Sequence, residues 1–367
     1  MRFYLDGILI CWKMFGLSRH FLHCLMVIFL FMLLFMIKTI TCFLDRILFP
    51  EYRNVEVKNP VFIIGHPRSG TTFMHHLFTQ TDEMAAFYSW HILFPAITAR
   101  IFIRPIVRFL KRRGMTTIIP EETGHGVGID KVEEEELLFL HNHDTQFAVV
   151  LSPLGFLEDT FDQYRLHDQM PHDHRICSAR FLKSLFQRHI YYTGKKQIFA
   201  QTHFSTHRIK TLMEVFPDAR FIYMHRMPED TLPSSFSLMY NMVDLIWGMH
   251  RFTPEQMKRF FDYRYRASID LYRYFYDLWH NNDIDKKRVL IVPYHHLQED
   301  LLGVFEQVVQ FTEISPRESL RKAVLHQAAK QKKYKRIHRI RPLEDFGVDS
   351  GRLKTDFSFL YEKKPFL

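Results

Sequence analysis

The chain predicts an α/β fold, a parallel sheet flanked by helices, with a hydrophobic helical segment at its N-terminus. Three observations carry that expectation. Val61-Phe62-Ile63-Ile64 is a short uncharged β-favouring run, of the kind buried on both faces in a parallel sheet. Comparable runs recur at residues 196–200, 219–224 and 288–294, with helical patterning between them, as strand–helix–strand units require. Between Arg19 and Lys38 there is no Asp, Glu, Lys or Arg.

That uncharged stretch approaches the roughly 17–25 residues needed to span a bilayer. It lies late and lacks a small-residue cleavage site, which argues against a removable signal. Membrane association is therefore expected, spanning or in-plane, against the competing reading of a hydrophobic helix docked on the protein's own core. Arg2, Lys13 and Arg19 precede the run while Lys38, Arg46, Arg53 and Lys58 follow it, so charge does not set an orientation. The expected division is a membrane-associating leader over residues 1–58 and an α/β domain over 59–367, whose last part, 312–367, forms a basic tail and closing loop.

Composition narrows the partners. At 367 residues and 47% hydrophobic, with 36 Phe, the chain can bury a full core and is not a disordered polymer. A net charge of +9 suits an anionic ligand, an anionic membrane surface or nucleic acid. No zinc-type Cys/His spacing, RNA-binding aromatic signature or helix-turn-helix is present, so nucleic acid is not expected. Cys11, Cys24 and Cys42 lie in the leader; Cys177, the one cysteine beyond it, is expected to be a free buried thiol. With no disulfide possible within the domain and no Asn-x-Ser/Thr sequon, a cytosol-facing domain is favoured.

The organising stretch is 60–78, PVFIIGHPRSGTTFMHHLF. A strand, a turn bounded by Gly65 and Gly70, and a helix opening at Thr71-Thr72 make an anion cradle, because unpaired N–H groups converge there. Gly65 and Gly70 have the spacing of a nucleoside-triphosphate P-loop, but Thr71 stands where its lysine belongs and Arg68 is the only cation in the turn. The geometry is P-loop-like; nucleotide hydrolysis is not expected.

The PRSGTT turn after a hydrophobic strand resembles the 5′-phosphosulfate loop of sulfotransferases that use 3′-phosphoadenosine 5′-phosphosulfate (PAPS), in the bacterial-type variant with Arg in the loop. The resemblance implies that Arg68, Ser69, Gly70, Thr71 and Thr72 hold the donor's 5′ end, with Arg68 also catalytic. A second segment supports it. Arg226-Met227-Pro228-Glu229-Asp230, with Ser234 eight residues after the arginine, resembles the 3′-phosphate motif. A forked guanidinium and a hydroxyl on the next helix suit a terminal phosphate.

Between these motifs, Gln201-Thr202-His203-Phe204 resembles the Lys-Thr-His-Leu of cytosolic sulfotransferases, whose histidine is the base; it lies 23 residues before Arg226. His203 is thus the first candidate base. Gln201 departs from the family's lysine there, and a structural histidine at a strand end is the competing reading. Glu133-Glu134-Glu135-Glu136 reads either as a solvated first helical turn or as acids aimed inward. Glu134 and Glu136 match the two glutamates of the family's Gln-Glu-Asp-Glu segment and are the second candidates.

The remaining features carry less. His167, His172 and His174, with Asp168 and Asp173, match no metal motif, and sulfuryl transfer requires no metal, so no metal site is expected; an acceptor-binding loop is. His91 is expected to be packed or at the surface. Residues 330–341 hold seven Lys/Arg among twelve, a solvated basic face or an attractor of anionic donor or headgroups. Arg352 and Lys354 are further phosphate-ligand candidates in a segment resembling the family's closing loop.

The expected activity is sulfuryl transfer from PAPS to a hydroxyl or amine of an acceptor, amphiphilic if the leader lies in a membrane. A P-loop kinase-like phosphotransferase and a membrane-tethered non-catalytic binding protein are the alternatives.

Overall fold

The computed structural model describes residues 2–119, 126–150, 166–331 and 340–362. Its centre is a parallel sheet of β1 (Val61–Gly65), β4 (Phe199–Gln201), β5 (Arg220–His225) and β6 (Val289–Pro293), in the order β4-β1-β5-β6. The expected strands are all present, with boundaries shifted by up to a few residues. A short antiparallel ribbon, β2 (Thr117–Ile119) with β3 (Val127–Gly128), was not anticipated.

Every residue of β1 is buried, as a strand covered by helices on both faces must be. On one face Phe62 packs between Phe221 and Phe216, with ring centroids 5.4 Å from each. On the other, Phe78 of α3 (Thr71–Thr79) stacks on Phe199 and Phe305 at 4.5 and 5.1 Å. Such ring pairs contribute beyond the apolar area they bury. From β1 the chain crosses to β4 on one side and then to β5 on the other. A crevice opens beyond the carboxyl ends of strands where the order reverses, so the segments following β1, β4, β5 and β6 converge there.

The leader docks on this body. Helix α1 (Arg2–Phe15) and helix α2 (Arg19–Leu48) form a hairpin, with Trp12 edge-on to Phe21 at 5.4 Å. Ser18 caps α2 by accepting from the Phe21 N–H. Across to the body, Phe15 meets Phe252 at 5.9 Å and His23 Nε2 lies 3.1 Å from the Ile246 carbonyl. The main joint is Asp45, fully buried near the end of α2. Its carboxylate accepts from the Ile97 and Thr98 N–H groups at 2.9 and 2.8 Å, from the Thr98 hydroxyl, and from Arg188 Nε at 2.9 Å. One acid thus caps helix α5 (Ile97–Arg112), whose Ala96 N-cap offers no side-chain acceptor, and neutralises a buried arginine of α7 (His172–Thr193). Outward, α2 is mostly exposed and is long and apolar enough to cross a membrane.

Cys177, expected to be buried, is exposed on α7. The helix turns its buried stripe, including Ile176, Ala179 and Leu182, toward the sheet, and position 177 falls off that stripe. Residues 332–339 of the basic run, Glu121 and Glu122, and the 159–165 part of the polar loop lie outside the described residues.

Candidate active site

At the carboxyl ends of the strands lies a cavity of about 1130 Å³, at the upper end of the roughly 300–1,000 Å³ usual for ligand pockets. Its first wall is the turn after β1. Gly65, at φ 129°, passes so close to β5 that a Cβ there would meet the Met224 carbonyl oxygen at 2.5 Å. Gly70, at φ 96°, caps α3, and a Cβ there would sit 2.8 Å from the Tyr294 ring. Both positions therefore require glycine. Arg68 is itself left-handed at φ 73°, an uncommon conformation for a side-chain-bearing residue that clusters at functional sites.

Arg68 Nε donates to Ser234 Oγ at 3.0 Å. Arg226, delivered by β5, donates to the Arg68 carbonyl at 3.1 Å and lies 4.1 Å over the Tyr294 ring. Ser234 stands on α9 (Pro228–Trp247), whose first turn is opened by Pro228. Arg68, Gly70, Thr71, Thr72, Arg226 and Ser234 all line the cavity. Ser69 does not. It is fully buried, and its N–H and hydroxyl both donate to the His66 carbonyl at 3.1 and 2.6 Å, closing the turn from inside.

The opposite wall comes from β4 and the acidic run. His203 Nδ1 is 2.9 Å from Glu134 Oε2, a separation suited to an ion pair, although the ring N–H does not point squarely at the carboxylate. Gln201 Nε2 donates to Glu134 Oε2 and to the Thr72 hydroxyl, both at 3.0 Å. The residue departing from the family's lysine thus ties the base candidates to the anion cradle. His203 and Glu134 line the cavity.

The solvated-turn reading of 133–136 does not hold, because all four glutamates are buried. The segment passes into a 3₁₀ turn, Glu135–Asn142, that packs these acids against polar partners from β4 and beyond. Glu135 accepts the Gln201 N–H at 2.7 Å and faces His75 Nε2 at 3.4 Å. Glu136 accepts from the Thr145 and Ser205 hydroxyls at 2.9 and 2.7 Å, with Arg208 at 3.8 Å. Burial pushes the Glu136 carboxyl up, against the opposing pull of Arg208 and those hydroxyls. It does not line the cavity; of the two glutamates singled out, Glu134 is the one brought to the site.

Other candidates sit elsewhere. His91 is packed, its ring 4.1 Å from Trp90 and 5.1 Å from His189. Asp144, His167 and His174 offer ligand atoms within 4.8 Å of one another, a trio that could take a cation, but none lines the cavity and Arg208 stands 3.7 Å from the Asp144 carboxylate. Arg352 pairs with Asp262 at 3.2 Å and Asp356 at 3.6 Å and does not line the cavity. Lys330 reaches the cavity edge.

Sequence reasoning missed Tyr294 as a site residue and read Gln201 only as a departure. Tyr294 immediately follows a strand, a position that faces the crevice in such sheets. Gln201 carried no comparable signal.

Comparison with known proteins bears on the family and the fold. The sequence pattern described as the sulfotransferase family matches residues 60–318. Omega-hydroxy-beta-dihydromenaquinone-9 sulfotransferase Stf3 of Mycobacterium bovis and of Mycobacterium tuberculosis is 25% identical over 252 residues, 66% of this chain. The chain spans 59% of the length of these relatives. The fold is similar to the crystal structure of sulfotransferase STF1 from Mycobacterium tuberculosis H37Rv, with TM-score 0.69 and 18% identity over 97% of this chain and 91% of that one. Sulfotransferase STF9 from Mycobacterium avium also has TM-score 0.69 at 18% identity, over 88% of this chain and 81% of that one.

Proposed function

The chain belongs to the sulfotransferase family, and on that premise we propose that it transfers a sulfuryl group from PAPS to a hydroxyl of a lipid-like acceptor. The single observation carrying this reading is the convergence of Arg68, Arg226 and Ser234 on one wall of a cavity whose other wall holds His203 and Glu134. The residues fit such a donor: two guanidiniums, a hydroxyl and a glycine-capped helix start are what two separated anionic groups need.

Transfer forms a bond between the acceptor oxygen and sulfur and breaks the bond from sulfur to the donor's 5′-phosphate, on which negative charge grows. Arg68 and the N–H groups of Gly70, Thr71 and Thr72 stabilise that charge, and being held in place beforehand they need no reorganisation. The Ser69 N–H, committed to His66, is not among them. Arg226 and Ser234 hold the 3′-phosphate. His203 takes the acceptor's proton on Nε2, since Glu134 holds the Nδ1 side and stabilises the imidazolium. Glu136 organises Ser205, Thr145 and Arg208 behind them.

The acceptor class rests on the cavity's apolar side, which includes Phe73, Ile92, Leu137 and Phe147, and on the menaquinone-derived substrate in the curated relatives' name. The leader, residues 1–58, associates with a membrane through α2, and the domain, 59–367, faces the cytoplasm. Calorimetric titration with adenosine 3′,5′-bisphosphate tests the donor assignment. Wild-type protein should bind it and Arg226→Ala should weaken it at least tenfold, while Arg68→Ala should lower kcat by about 10²–10³. Well-folded wild-type protein that fails to bind would end the proposal.

A further inference from the structure

A second cavity, of about 110 Å³, lies between the leader hairpin and the body. Tyr4, Gly7 and Cys11 of α1 and Val27, Ile28 and Phe35 of α2 form its leader side. Of its polar neighbours, His141 Nε2 lies 2.7 Å from the Ile92 carbonyl, and the His143 ring packs edge-on to Tyr4 at 4.9 Å. Burial lowers both imidazoles to about 4, so the lining carries no charge near neutral pH. A chamber of this kind stays dry and takes apolar guests; a cavity of about 150 Å³ holds benzene.

Two further facts give it a direction. Ile92, Leu93, Leu137 and Phe147 line this chamber and the large cavity alike, so the two are separated by one layer of side chains. Phe147 is also edge-on to His203 at 5.4 Å, which brings that layer to the proposed base. At the other end Phe31 lines the chamber while 41% exposed, on the helix whose outer side carries exposed Leu22, Met26, Phe29 and Leu30. Apolar side chains thus extend from the outer surface of the hairpin to the proposed site of proton transfer, interrupted only by that one layer.

We propose that this chamber is the tail site for the acceptor: a primary alcohol at the end of a long hydrocarbon chain, whose hydroxyl meets His203 while its chain passes the Ile92–Leu137–Phe147 layer and leaves between α1 and α2. The inference rests on the sulfotransferase reading for the hydroxyl's fate, but the tail site itself does not require donor chemistry. It makes the hairpin part of the substrate site as well as an anchor.

Gly7 allows a direct test. A Cβ there would meet only the Ile28 Cδ1 atom, at 3.6 Å, so alanine fits and leucine must project into the chamber. Full-length protein in detergent is irradiated with hexadecanol carrying a diazirine at its tail carbon, and the label is mapped by mass spectrometry. Saturable labelling of chamber residues on α1 and α2 is expected, competed by unlabelled alcohols with affinity rising about fourfold per added methylene. Gly7→Ala should keep the label and Gly7→Leu should lose it, both retaining wild-type affinity for adenosine 3′,5′-bisphosphate. Label confined to the outer faces of α2, or a saturable chamber label unchanged in Gly7→Leu, overturns the tail site. Absence of adenosine bisphosphate binding in wild-type protein would remove the donor reading and leave the labelling result standing.

Discussion

Replacing Gly70 by alanine tests whether the anion cradle and the second arginine are mechanically joined. Gly70 stands at φ 96°, which costs an L-residue about 1–2 kcal/mol. The added Cβ would lie 2.8 Å from Tyr294 Cδ2 and 3.3 Å from Leu297 Cδ1, so the ring must shift by several tenths of an ångström. Crowding of that kind costs about 1–3 kcal/mol. Together the destabilisation comes to about 2–5 kcal/mol, a large share of a typical domain's stability. The functional consequence follows from what rests on the ring. The Arg226 guanidinium lies 4.1 Å over Tyr294 and also donates to the Arg68 carbonyl. Moving the ring forfeits about 0.5–2 kcal/mol of cation–π attraction, some 2- to 30-fold in affinity for a ligand Arg226 must hold. Urea unfolding measures the first effect and calorimetric titration with adenosine 3′,5′-bisphosphate the second. Adding Tyr294→Leu to the Gly70→Ala background should recover part of the stability without the affinity. Wild-type stability and affinity in the single variant would refute the coupling.

Three other perturbations probe the base, the pH response and the leader joint. His203→Ala should lower kcat by about 10²–10⁴ with adenosine bisphosphate affinity unchanged, and Glu134→Gln by less; full turnover in the histidine variant would hand the proton to Glu134. Burial holds His66 down at about 3, neutral in the folded state, while the unfolded chain protonates it below about 6.5. Its contribution is therefore intact near pH 7 and is lost as the pH falls from 6.5 toward 3, about 2 kcal/mol between pH 7 and 5. His66→Gln should flatten the pH dependence of urea unfolding by that amount, and an unchanged slope would contradict it. Asp45→Ala strands Arg188 and uncaps α5, which should cost about 3–5 kcal/mol and expose the segment after α2 to proteolysis. A variant as stable and protease-resistant as wild type would mean that the leader is held by its apolar contacts instead.

What the residues alone determined were the features set by neighbours in the chain. An uncharged β run, glycines at both ends of a six-residue turn and threonines at a helix start specify their geometry locally, so the strand–turn–helix of the cradle was legible at 60–78. Arg226 with Ser234 and the apolar α2 were legible for the same reason. Tertiary structure decided everything that depends on burial of charge. Four consecutive glutamates read either as a solvated turn or as acids aimed inward until partners far along the chain decide: Gln201 for Glu134 and Glu135, Ser205 and Arg208 for Glu136. Which of them reaches the cavity follows from a 3₁₀ turn packed against β4, and neither α-helical periodicity nor the acidic run itself encodes that. The leader looked separable because its sequence is apolar and its boundary polar. Asp45 becomes a joint only when Thr98 and Arg188 close around it, since a buried carboxylate is stable only where distant chain segments supply its hydrogen bonds and counter-charge.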